Sequence, residues 1–83
     1  MSKDVQVRSL SVIAREIESD WGGKVYFGAR PYLNAMKQLN SIEDNFYDDT
    51  AVSVVAYFLS NAQTWRGDVA RRVKKELNKM LKK

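Results

Sequence analysis

The chain has 83 residues, of which 45% are apolar, 29% charged and 11% aromatic, with one Pro, no Cys and no His. That length holds one small domain, and the apolar content is too high for a disordered tail. Without Cys or His there is no disulfide, no Cys/His zinc site and no serine, cysteine or histidine catalysis of the usual kinds, while fourteen Lys and Arg against ten Asp and Glu leave a formal charge of +4.

The basic excess is unevenly placed. Residues 66–83 carry eight basic and two acidic side chains, whereas residues 1–65 carry six basic and eight acidic. A slightly acidic body is thus followed by a strongly basic element, which points to a polyanionic partner or an acidic protein surface. The plainer alternative is a solvated helix face that only maintains solubility. Residues 1–10 alternate polar and apolar side chains and predict no signal peptide. No stretch approaches the ~20 apolar residues of a membrane span, and the lack of Cys fits the cytoplasm.

In chain order, residues 1–8 are read as a flexible arm on a single helical domain. A first helix is predicted over residues 9–20, because Leu10, Ile13, Ile17 and Trp21 recur at spacings of three and four. Ser9 or Ser11 can cap its start, and Gly22-Gly23 stops it. Residues 25–28 form a short extended segment or a loop folded onto the core. Pro31 suits the first position of a second helix, predicted over residues 31–40 with Leu33, Met36 and Leu39 inward. Residues 41–49 are the long connection, with Ile42, Phe46 and Tyr47 between its acids and the two aromatics expected to anchor it to the body, and Asp48 or Asp49 is expected to cap the third helix.

From residue 51 to 59 only Ser53 is not apolar. A helix is favoured over a strand there, since the run continues through Ser60-Asn61-Ala62 and a lone strand would have no partner. The last helix is predicted from a Thr64 cap to about Leu81. Val69, Ala70, Val73, Leu77, Met80 and Leu81 fall within an arc of about 120°, opposite Arg71, Arg72, Lys74, Lys75, Lys79, Lys82 and Lys83. The fold class expected is an all-α, small single-domain bundle of about four helices with a basic amphipathic C-terminal helix.

Three patterns bear on chemistry. The acidic group Glu43, Asp44, Asp48 and Asp49 lacks the central Gly and distal Glu of a calcium loop, so a solvated loop and helix cap are expected rather than a metal site. Gly22-Gly23-Lys24 follows a helix instead of a strand and is read as a helix stop, not a phosphate loop. The basic helix carries the expected binding residues: Arg66, Arg71, Arg72, Lys74, Lys75, Lys79 and Lys82. A helix-turn-helix match is weak, because the turn before residue 64 has no Gly and Trp65-Arg66-Gly67-Asp68 is a poor base-reading set. Tyr26, Tyr32, Tyr47 and Trp65 are expected to be partly exposed. Of these, Tyr26, Tyr32 and Trp65 are candidate aromatic contacts, with Lys24, Arg30 and Arg66 close in sequence.

Several strings together resemble a group of small, uncharacterised proteins encoded by bacteriophages and other mobile elements: Ile17-Glu18-Ser19-Asp20-Trp21, Pro31-Tyr32-Leu33-Asn34-Ala35-Met36, Tyr57-Phe58-Leu59-Ser60-Asn61-Ala62 and Trp65-Arg66-Gly67. The resemblance runs from about Leu10 onward. It implies a bacterial cytoplasmic setting and an accessory role, and it brings no functional residues. The expectation is a non-enzymatic module, without cofactor or metal and not in a membrane. It would bind nucleic acid, or a nucleic-acid-handling or acidic host protein, through the basic helix. The alternative is a phage-type inhibitor of a host defence protein such as a CRISPR nuclease.

Overall fold

The fold is known from a computed structural model that describes residues 8–82, the Phe46 side chain excepted. Four α-helices make up the described chain: α1 (Leu10–Trp21), α2 (Arg30–Met36), α3 (Ala51–Ser60) and α4 (Asp68–Lys82). The only sheet among the described residues is a hairpin of β1 (Asn45–Phe46) and β2 (Asp49–Thr50), which pairs Asn45 with Thr50 and Phe46 with Asp49. The expected all-α bundle is therefore what the chain forms. The proposed arm falls on residues 1–7, which lie outside the described residues, and on Arg8, which is tied to the body as described below.

Each helix begins and ends for a local reason. Ser9 caps α1, its Oγ accepting from the Val12 N–H at 3.3 Å. The free N–H groups of Leu10 and Ser11 donate to the Asn40 and Leu39 carbonyls at 3.0 and 2.8 Å. Gly22, at φ 62°, closes α1 in a backbone conformation that L side chains resist. A 3₁₀ turn over Phe27–Ala29 leads into α2, with Pro31 in its first turn. The helix stops at Met36, short of the predicted residue 40. Leu39 and Asn40 cannot stay helical, because their carbonyls are turned toward α1; the chain tightens instead into i→i+3 bonds from Gln38 to Ala35 and Leu39 to Met36.

The connection over residues 41–49 departs from expectation in two ways. Asp44 organises it by accepting from the backbone N–H groups of Asn40 and Ser41. Tyr47 lies in the hairpin turn at φ 56° and is 86% exposed, not buried in the core. Thr50, not Asp48 or Asp49, caps α3: its Oγ1 accepts from the Ser53 N–H at 3.1 Å. The apolar run is helical as predicted, with Ala51, Val54, Val55 and Phe58 buried. The last helix starts four residues later than predicted. Gly67, at φ 114°, is not helical, and residues 62–67 form a loop that carries Trp65 into the core.

The core lies between the helices. Leu10, Ile13 and Ile17 of α1, Leu33 and Met36 of α2, Val55 and Phe58 of α3 and Val73 and Leu77 of α4 are all essentially inaccessible to water. Among the described residues no charged or polar residue is buried with them. α1 packs against both α2 and α4, and α3 likewise packs against α2 and α4. The apolar stripe of α4 is thus consumed inside the bundle, leaving its opposite face outside.

Candidate functional site

α4 has three flanks besides its buried stripe, and they are used differently. Toward α1, Arg8 grips Glu76 with two hydrogen bonds, Nε to Oε2 at 3.0 Å and Nη2 to Oε1 at 2.6 Å. It also pairs with Glu16 at 2.8 Å, and Arg72 bonds to the same Glu16 carboxylate. Burial works against a charged Glu16, but the hydrogen bonds from Arg72 and Arg8 outweigh it and hold its pKa below the ordinary carboxylate value. Arg8 is raised above the usual guanidinium range, chiefly by its bond to Glu76. Arg72, expected to be part of the free basic face, is therefore drawn into an internal ion-pair network.

Toward the loop over residues 62–67, α4 meets an aromatic junction. Trp65 stacks on Trp21 with ring centroids 5.7 Å apart at 16°, and meets Phe58 edge-on at 6.5 Å. Its Nε1–H donates to Asp20 Oδ2 at 2.8 Å, and its carbonyl accepts from Lys74 Nζ at 2.6 Å. Lys74 also stands 5.9 Å above the ring. Only 2% of Trp65 is exposed, so the expected aromatic contact for a ligand is instead the pin that holds the loop to α1, α3 and α4. A large ring with a single polar atom can be fully buried when that atom finds a carboxylate, as it does here. Lys74 is half-buried, and burial, with the charge of Arg66 second, lowers its pKa.

The outward flank carries Arg71, Lys75, Lys79 and Lys82, all exposed. Arg71 shares a solvent-exposed pair with Asp68 at 3.3 Å. Lys75, Lys79 and Lys82 have no ion pair or hydrogen bond to any side chain or carbonyl among the described residues, and neither has Arg66 in the loop. The fold therefore brings six of the seven expected basic residues to the surface, pairs one of them, Arg72, with Glu16, and leaves Lys74 half-buried at the edge.

Two clefts open beside Trp65. One, of about 290 Å³, lies between the loop and α4 and is lined by Arg66, Gly67, Ala70, Arg71 and Lys74. The other, of about 430 Å³, lies on the α1 side and is lined by Asp20, Lys24, Thr64 and Arg66. Arg66 borders both. The carboxylates of residues 43–49 line neither cleft, and among the described residues no three Asp or Glu converge as metal ligands.

The aromatic candidates divide. Tyr26 is exposed and Tyr32 half-buried. Tyr32 lies 5.5 Å from Tyr57, ring centre to ring centre, and Tyr26 lies 5.1 Å from Phe27. Tyr26 folds across Gly28, where a Cβ would sit 2.6 Å from its ring, so only glycine permits that approach. Sequence reasoning missed Phe27, which is 78% exposed, and Tyr57, whose ring lies outside the core. The signal was present: Phe27 stands next to a Gly in a stretch without helical period, and Tyr57 falls off the stripe made by Val54, Val55 and Phe58. No helix among the described residues is long and apolar enough to cross a membrane. Comparison of the chain with protein-family models, with curated proteins and with solved structures gives no match.

Proposed function

We propose that the protein is a non-enzymatic accessory protein of bacteriophage type that works in the bacterial cytoplasm and binds nucleic acid through the outward flank of α4. The observation that carries this reading is a division among the cations. Arg8, Lys37 and Arg72 are spent on carboxylates within the fold. Lys75, Lys79, Lys82 and Arg66 have no carboxylate partner among the described residues. Cations that fold stability does not use are suited to phosphate neutralisation and counterion release.

The test is binding of labelled duplex DNA, single-stranded DNA and single-stranded RNA by fluorescence anisotropy, at about 50 and 200 mM salt. Four phosphate contacts would weaken duplex affinity by about a hundredfold over that range. The triple variant Lys75→Glu, Lys79→Glu, Lys82→Glu is expected to lose binding while its circular dichroism spectrum stays unchanged, since none of the three touches the core. No binding by the wild-type protein at the lower salt would exclude the reading.

A second reading is supported by a different surface. Phe27, Tyr26 and Tyr57 expose aromatic area that the core does not need, and exposed apolar patches accompany protein contacts. On this reading the protein is a phage-type inhibitor seated on a host defence protein such as a CRISPR nuclease. It requires that a protein partner is recovered from nuclease-treated bacterial lysate and is lost with Phe27→Ser; recovery unaffected by that variant would count against it.

A further inference from the structure

We propose that the cleft between the 64–67 loop and the first turns of α4 is a phosphate seat, in which Arg66, Arg71 and Lys74 hold one phosphodiester of a nucleic-acid backbone. The inference rests on the nucleic-acid reading above and deepens it from a charged flank to a defined grip.

Three cations from two elements surround one concavity. Arg71 and Lys74 are one helical turn apart on α4, and Arg66 approaches from the loop. Trp65, Gly67 and Ala70 complete the lining, and the two small residues do not crowd the space between the cations. A Cβ at Gly67 would meet nothing within 4 Å, so the cleft is open on that side. Lys74 is held in place from below, because its ammonium donates to the Trp65 carbonyl and lies over the indole. Two of its three N–H donors remain for a ligand. A donor already fixed by the fold gives up less rotamer freedom on binding than a free lysine does.

The electrostatics agree with the geometry. Arg66 and Lys74 have no carboxylate partner among the described residues, and each lies in the field of the other. Burial and Arg66 both disfavour the Lys74 ammonium, and an anion in the cleft would relieve the second of these. Asp68, next to Gly67 in the chain, pairs with Arg71 of the lining at 3.3 Å; it stands almost fully in solvent, so a phosphate can displace it. Asp20, on the far side of Trp65, is occupied by the indole N–H.

The position of Arg66 selects a polymer over a small anion. It borders the α4 cleft on one side and the Lys24 cleft on the other. A linear polyanion passing Arg66 meets cations in both, whereas a free phosphate fills only one.

The test compares Arg66→Ala with Arg15→Ala. Both remove one exposed, unpaired positive charge, the first at the cleft and the second on α1. Affinity for a labelled oligonucleotide is measured across a salt series, and the Gly67 backbone amide is followed by NMR while inorganic phosphate is added. The expected result is a loss for Arg66→Ala at least fivefold greater than for Arg15→Ala. The salt slope should fall by about 0.7 for single strands or 0.9 for duplex, and the Gly67 amide should shift saturably with phosphate in the wild type and not in Arg66→Ala. If the wild type binds oligonucleotide but the two variants match, the seat is overturned and the α4 reading stands. If the wild type binds no oligonucleotide while Gly67 still responds to phosphate, the ligand is a free phosphate compound and the backbone assignment is overturned. Silence in both assays overturns seat and reading together.

Discussion

Trp65 shows how one atom decides the fate of a residue. Its indole N–H ends on Asp20, its carbonyl on Lys74 and its ring on Trp21 and Phe58. Trp65→Phe keeps most of the ring but leaves Asp20 without its donor, and is expected to cost about 1–3 kcal/mol in urea unfolding; Trp65→Ala also leaves a cavity and is expected to cost about 3–5 kcal/mol. Local sequence gave no sign of this burial, since a tryptophan beside an arginine reads equally well as a surface ring, and its carboxylate partner lies forty-five positions away. Glu16 is a second residue of this kind. Its pKa is lowered from 4.5, so its ion pairs stabilise the fold above that pH and their contribution is lost as pH falls through the lowered value. Glu16→Gln is expected to lower stability by about 1–2 kcal/mol at neutral pH and to flatten the acid limb of the stability profile, as measured by denaturation at a series of pH values.

At the scale of elements, the apolar periodicity that predicted α1, α3 and α4 was sufficient because buried stripes are a property of one segment at a time. Boundaries were less legible because they depend on distant partners. α2 ends early because residues 39 and 40 cap α1, and α4 begins late because Trp65 has to leave the helical path to reach α1. The start of α3 was misplaced for a smaller reason: Asp48, Asp49 and Thr50 are all competent caps, and the two-residue β2 pairing puts Thr50 in position. Thr50→Ala is therefore expected to lower stability by about 1 kcal/mol, while Asp48→Ala and Asp49→Ala stay within about 0.5 kcal/mol. A larger effect at either aspartate in a thermal melt would contradict the cap. The candidate site was legible as a charge count and not as a geometry. Seven basic residues could be named from the helix, but which of them meet an internal acid depended on Arg8 and Glu16, positions far from α4 in the chain.

For the molecule as a whole, the aromatic junction and the helices share one core, with Trp21, Phe58 and Trp65 contiguous with Ile17, Val73 and Leu77. Unfolding is expected to be a single transition, with tryptophan fluorescence and far-ultraviolet circular dichroism giving coincident curves against urea. A fluorescence change that precedes loss of helix would show that the junction melts apart from the bundle. Charge at this scale is a division of labour: one side of α4 closes the fold and the other faces solvent. The closure has a further consequence for synthesis. Arg8 and Glu76 are sixty-eight positions apart, and α1 buries its stripe partly on α4. A nascent chain therefore carries Ile13, Ile17 and Trp21 without their full cover until the codons for α4 have been read, so the polypeptide matures only after that helix clears the ribosomal tunnel.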